Sequence, residues 1–209
     1  MSTPERLDPT RAALLVFDML NGHVKKDDPA TKARYAPVIA NAVRLLEAAR
    51  RAGMMVAYAA AHHRADNTTS AHLVTDTDNR LRPRAAGAGR ETRPVVAAGT
   101  WEAQVIDELK PQVRDYMIPK FRWSAFHQTY LDLALRNRNV NTLVIAGGST
   151  DVGVASTAYA ARDMDYNLVI VSDTCTSPEE DNHAQFMQRV FPRMARVRTA
   201  AQVITMLSA

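Results

Sequence analysis

Wholly apolar runs alternating with segments of helical period predict an α/β protein: a mostly parallel sheet with helices on both faces, three layers in all. The runs Ala12–Phe17, Met54–Ala61 and Thr142–Ala146 are continuously apolar rather than alternating, the mark of strands covered on both sides. Asn141–Asn167 reads as one such strand, a glycine-rich turn and a helix. With 209 residues, no internal repeat and no break in composition, the chain reads as a single domain over 1–209, large enough to bury a core without disulfide or metal.

The first strand ends abruptly at Asp18, before the turn formers Asn21 and Gly22. Pro37 suits a helix start, Val38 to Ala49 follow with helical spacing, and Gly53 closes that helix. The second strand runs into His62, His63 and Arg64. Segment 64–99 is polar and rich in breakers, the kind of long connection that serves function or assembly. Thr100 is positioned to cap a helix over Trp101–Leu109, stopped by Pro111. Tyr116–Pro119 is a short strand leading to Lys120; a helix capped from Ser124 or Thr129 then stops at Asn139. In the organising unit, Gly147, Gly148 and Gly153 are three of the chain's eight glycines, and Asp151 or Thr150 caps the helix. Leu168–Ser172 is a strand ending at Asp173, Asp181–Phe191 a helix, Arg196–Arg198 an edge strand and Ala200–Leu207 a terminal helix.

Composition removes several function classes. Lysine and arginine number 26 against 22 acids, and no basic stripe is interleaved with aromatics, so nucleic acid is not the expected partner. The polar residues Met1 to Arg11 hold no signal-peptide core, and no apolar run approaches the roughly 20 residues of a membrane helix. A single cysteine, Cys175, rules out an internal disulfide and suits a reducing compartment, so a cytoplasmic protein is expected.

A carboxylate at the end of a buried strand is poorly solvated, and Lys120, also at a strand end, is its natural partner. Spacing alone leaves two readings open: a general acid–base tuned by an ammonium, or a capping aspartate and a solvated lysine. His23 either faces the same cavity or sits in a solvated turn. Past Lys120, Arg122 is suited to hold a substrate carboxylate with its fork of donors, and Trp123 to pack on a flat substrate, with Phe126 on the same wall. The structural alternative places Trp123 and Phe126 in the core and Arg122 against a surface acid. Cys175 has no base beside it and reads as a buried thiol.

The segments "LLVFDMLNGHV", "KFRWSAFHQTYLDLALR" and "VIAGGSTDVGVASTAYAARDMDYN", with "VIVSDTCTS" after them, resemble the signature segments of the isochorismatase-like (cysteine hydrolase) superfamily. The resemblance spans most of Arg11 to Ser177. It implies a three-layer Rossmann-like fold with a six-stranded, mainly parallel sheet, in a homo-oligomer, dimer or tetramer. It implies that Asp18 and Lys120 are catalytic, and that a cis bond joins Gly148, against the substrate, to Ser149. The amides of Ser149 and Gly153 would then form an oxyanion hole. Where the amidase branch carries its nucleophilic cysteine, this chain has Gly153, which cannot form a thioester. The vinyl-ether-cleaving branch is similar in carrying glycine there and in the segment Lys120 to His127, whereas "DMLNGHV" and "STDVGV" look more like the amidase branch. The zinc pattern of the nicotinamidase members is not matched, because adjacent His62 and His63 point to opposite sides of an extended chain. No metal and no cofactor are expected. The resulting expectation is a hydrolase of a small planar molecule, anionic or amide-bearing, using Asp18, Lys120 and backbone donors. Its alternatives are an amide or ureide hydrolase whose nucleophile at 153 has been replaced, and a non-catalytic small-molecule binder. A cysteine restored at position 153 is the discriminating variant.

Overall fold

The computed structural model describes residues 5–66, 68–70 and 96–208. Six strands form one sheet: β1 (Ala12–Phe17), β2 (Met55–Ala61), β3 (Tyr116–Lys120), β4 (Thr142–Gly148), β5 (Asn167–Thr176) and β6 (Arg196–Arg198). Their order is β3-β2-β1-β4-β5-β6 and every pair is parallel. The chain starts at the centre, winds outward to β3, then returns to lay β4 on the other side of β1. The connections above β1 and β4 therefore leave in opposite directions and open a crevice over their carboxyl ends, where open α/β sheets bind ligands.

Every residue of β1, β2 and β4 is buried, as their unbroken apolar runs predict. Period-two alternation sorts β1 between two cores. Leu14 and Val16 face one core, with Leu45, Leu46 and Ala49 of α2 (Pro29–Arg51) and Val203 near the C-terminus. Ala13, Leu15 and Phe17 face the other, with Leu131, Leu135, Val154 and Ala158. Phe17 is thus directed at the start of the helix that follows β4. No helix among the described residues is long and apolar enough to cross a membrane.

Four boundaries differ from the sequence expectation. Helix α2 begins at Pro29, eight residues before Pro37, because the Asp28 carboxylate accepts from the Thr31 amide and Pro29 occupies the first turn. Pro37 lies inside the helix on its exposed side, where the freed carbonyl meets water. Asp28→Ala should lower Tm by roughly 3 °C; an unchanged thermal melt would show that Pro29 alone sets the start. Trp101–Leu109 is not one helix but two short 3-10 turns, Trp101–Ala103 and Asp107–Leu109. Val105 between them pairs with Leu20, Ile106 donates to Met19, and the Thr100 hydroxyl bonds Ala97 rather than capping. Strand β5 does not stop at Ser172: a bulge shifts its register after Ile145, and Gly147 and Gly148 then pair with Cys175 and Thr176. The helix after β4 opens with a π-type turn, Thr150–Val154, leading into α4 (Ala155–Asp163), with neither Thr150 nor Asp151 as its side-chain cap.

The remaining helices are α1 (Asn21–Val24), before α2, and α3 (Leu131–Asn137), which closes through Asn139 at φ 53°. A helical stretch over 180–193 begins with α5 (Glu180–Gln185), and α6 (Ala200–Ser208) follows β6. Most of segment 64–99, expected to shape function or assembly, lies outside the described residues.

Candidate active site

Asp18 follows β1 in a left-handed conformation, φ 46°, one that aspartate tolerates better than most residues at a cost of about 1–3 kcal/mol. That turn folds its carboxylate across the end of β2. Oδ1 accepts from the Ala61 amide at 3.0 Å, and Oδ2 lies 2.6 Å from the Lys120 Nζ. Lys120 reaches it because its own strand ends level with Ala61. The two side chains are 13% and 7% exposed, so the pair is an ion pair withdrawn from bulk water yet open on one side. Lys120 is therefore not the solvated lysine of the second reading; it is paired with Asp18.

At the end of β4, the Gly148–Ser149 peptide is cis. Gly147 has φ 117°, and a Cβ there would stand 2.1 Å from the Phe17 carbonyl oxygen, so only glycine permits the approach of β4 to β1. The first backbone bond of the following helix runs from the Val154 amide to the Ser149 carbonyl at 3.1 Å. The amides of Thr150 to Gly153 therefore precede any carbonyl of their own turn, the condition for offering donors to a ligand. Asp151 ties this turn to the loop after β5: its carboxylate accepts from the hydroxyls of Ser149 and Ser177 and from the Asn182 amide. Burial opposes its charge, but these three donors hold its carboxyl below the usual range.

A cavity of about 660 Å³ joins the two halves; Asp18 and Lys120 lie on one side, and Gly148, Ser149 and Gly153 on the other. A second cavity of about 310 Å³ shares Asp18, His23, Lys120 and Trp123 with it and continues past His63 and Arg122. His23 therefore faces the cavity. Burial pushes its imidazole below the ordinary value, Asp18 opposes this and Lys120 and Lys26 add to it, so the ring is neutral at neutral pH. Trp123, 61% exposed, stands at the mouth of both cavities. Phe126 does not join the wall: it is buried in the core, its ring 5.8 Å from Tyr166, because the turn at 124–127 directs it inward. Arg122 pairs with no acid among the described residues; its guanidinium donates to the carbonyls of Thr69 and Phe121. His62 and His63 part as their adjacency predicts, His63 toward Asp18 and His62 into a groove beside β3. No group of three metal-ligating side chains converges among the described residues. Cys175 lies inside β5 rather than beyond it, and burial pushes its thiol up to about 12, which makes it inert.

Sequence reasoning missed Phe17. Read only as core, its ring lies under the Lys120 ammonium, 4.7 Å from Nζ to centroid, and fills the space beside Gly153. A Cβ at position 153 would stand 2.2 Å from Phe17 Cε1 and 2.6 Å from Cζ. The signal was available in the alternation of β1, which puts Phe17 on the face where the helix after β4 begins. Arg34 and Tyr35 were also missed, because the helix that carries them was started too late.

An ion pair at the end of β1 and the turn at the end of β4 meet at one cavity over the switch point of a Rossmann-like sheet. The chain belongs to the isochorismatase family: the isochorismatase domain matches residues 12–202. It is 33% identical over 183 residues to a ureidoacrylate amidohydrolase of Variovorax paradoxus, covering 81% of this chain and 70% of that protein. An isochorismatase family protein of Escherichia coli is 40% identical over 93 residues, 44% of this chain and about half of the relative's length. Among solved structures, a cysteine hydrolase from Pseudomonas syringae pv. phaseolicola superposes with a TM-score of 0.79 at 25% identity, over 100% of this chain and 99% of that one.

Proposed function

We propose that the protein hydrolyses a C–N bond in a small planar amide or ureide by direct attack of water, without a covalent enzyme intermediate. The observation that carries this reading is the Phe17 ring in the space a side-chain nucleophile at position 153 would need. Water is then the remaining nucleophile, and Asp18, ionised against Lys120, is the base that faces the cavity. In the step, the Asp18 carboxylate takes a proton from water as the water oxygen bonds to the carbonyl carbon. The carbonyl π pair moves to oxygen, which the Ser149 and Gly153 amides receive. Collapse breaks the C–N bond, and Asp18 returns its proton to the departing nitrogen. His23 stays neutral beside this exchange, Trp123 covers the substrate face, and no cofactor takes part. The kinship with a ureidoacrylate amidohydrolase supports the bond class.

The missing thiol also favours a second reading, vinyl-ether cleavage. There, protonated Asp18 delivers its proton to the vinyl carbon, and water adds to the resulting oxocarbenium ion as Asp18 takes back a proton. The hemiketal then collapses, breaking the C–O bond to leave a carbonyl and an alcohol.

A panel of ureides, primary amides and vinyl ethers separates the two. The expected result is turnover of a ureide or amide that falls by about 10²–10⁴ in Asp18→Asn, with no adduct by mass spectrometry of the working enzyme. Turnover confined to vinyl ethers selects the second reading. A trapped acyl-enzyme, or full activity in Asp18→Asn, sinks both.

A further inference from the structure

The sequence directs attention to Arg122 as the cation for an anionic substrate, but its guanidinium is already committed to two backbone carbonyls. A different arginine is uncommitted. Arg34, on α2, lines the 660 Å³ cavity with no hydrogen bond or ion pair to a described residue, and its Nε is buried without a partner. A buried N–H left unpaired costs about 1–3 kcal/mol, so such a group in a cavity wall calls for an acceptor. Its guanidinium stacks at 5.4 Å over the ring of Tyr35. The Tyr35 hydroxyl stands 3.5 Å from where a Cβ on Gly148 would be, which sets it beside the donors at the end of β4. Burial raises the Tyr35 phenol above its ordinary value, so it remains a donor.

The acids around this cavity do not answer Arg34. Asp18 is paired with Lys120, and Asp151 is filled by Ser149, Ser177 and Asn182. Glu179 is exposed at the mouth, as is Lys26 on the cationic side. Asp28 feels the charge of Arg34 but is occupied by the Thr31 amide. The cavity wall thus carries a planar cationic fork and a phenol with no hydrogen-bond or ion-pair partner among the described residues.

We propose that Arg34, with the Tyr35 hydroxyl, is the anchor for a carboxylate on the substrate, so that this enzyme selects small carboxylates whose scissile group lies toward Asp18. The selection of substrates rests on the hydrolase reading above; the binding of a carboxylate does not. A guanidinium presents paired donors that match the two carboxylate oxygens, which a lysine cannot reproduce.

The test is isothermal titration calorimetry at fixed ionic strength with fumarate and its neutral isostere fumaramide, on the full chain. Fumarate should bind more tightly than fumaramide. Arg34→Met should weaken fumarate at least tenfold and leave fumaramide unchanged, Arg34→Lys should fall between, and Arg122→Met should bind fumarate as the parent does. Should Arg34→Met fold poorly, Arg34→Lys carries the comparison. The proposal is overturned if fumarate fails to bind, if Arg34→Met or, in its place, Arg34→Lys affects both ligands alike or neither, or if Arg122→Met produces the loss. Fumarate binding lost with Arg34 in a protein that turns over nothing leaves the anchor standing and removes the hydrolase reading. Turnover of carboxylate ureides with unchanged KM in Arg34→Met does the reverse.

Discussion

Gly153→Cys will yield a less stable protein that gains no amidase activity. The new Cβ meets a ring that is 1% exposed and 2.2 Å away, with the Lys120 ammonium resting on it. Phe17 shares its core with Leu15, Val154 and Ala155, so the ring moves only at the expense of that packing. Overpacking of this kind costs about 1–3 kcal/mol, a fall in Tm of roughly 5 °C for a chain of this length. Phe17→Val alone opens a void and is also destabilising. Combined, the two changes should be less harmful than their sum, with a coupling of about 0.5–3 kcal/mol by double-mutant cycle. In the double variant alone, the thiol gains room beside Asp18 and Lys120, and alkylation by iodoacetamide should be fast there and slow in Gly153→Cys. A single variant that melts like the parent and alkylates quickly would show that the ring does not guard this position. Restoring cysteine at 153, the discriminating variant by sequence, thus requires a second change that only the geometry reveals. It also bears on the reading of Gly153 as a replaced nucleophile: as packed here, the Phe17 ring occupies the space a Cβ at 153 would need.

What could be read in the sequence follows from how local each signal is. Fully apolar runs betray strands covered on both faces wherever they occur, so β1, β2 and β4 were visible within a residue or two. The edge strand Arg196–Arg198 was visible because breakers frame it. Asp18 and Lys120 were legible as strand-end charges and as natural partners, but the geometry that joins them was not. It depends on the order of β1, β2 and β3 and on a left-handed turn at Asp18. The start of α2 was misread because Pro37 is a stronger local mark than Asp28, although Asp28 followed by Pro29 is the better capping pair. That one misreading placed Arg34 and Tyr35 outside the helix and hid a cation with no hydrogen-bond or ion-pair partner among the described residues. Phe126 was misassigned because an aromatic near a strand-end lysine reads equally as wall or core, and only packing against Tyr166 decides.

Lys120→Met is the substitution expected to injure the fold most. It keeps the length and apolar stem of the side chain, so packing against Phe17 survives and only the charge is removed. The carboxylate of Asp18 is then left 13% exposed with the Ala61 amide as its one recorded hydrogen-bond donor among the described residues. Removing one member of a buried pair in this way costs about 3–5 kcal/mol, because the partner's charge is stranded rather than because the pair itself contributes that much. A loss of that size is a large share of the 5–15 kcal/mol typical of a folded domain, and Tm should fall by roughly 10 °C. The double variant Asp18→Asn/Lys120→Met separates stranded charge from lost packing. It removes both charges and should recover most of the lost stability while remaining inactive. Were the double variant no more stable than Lys120→Met, the ammonium would be holding the carboxyl end of β3 by itself. The ion pair, and with it the positioning of Asp18 for its proposed role as base, would then not be the interaction that organises this site.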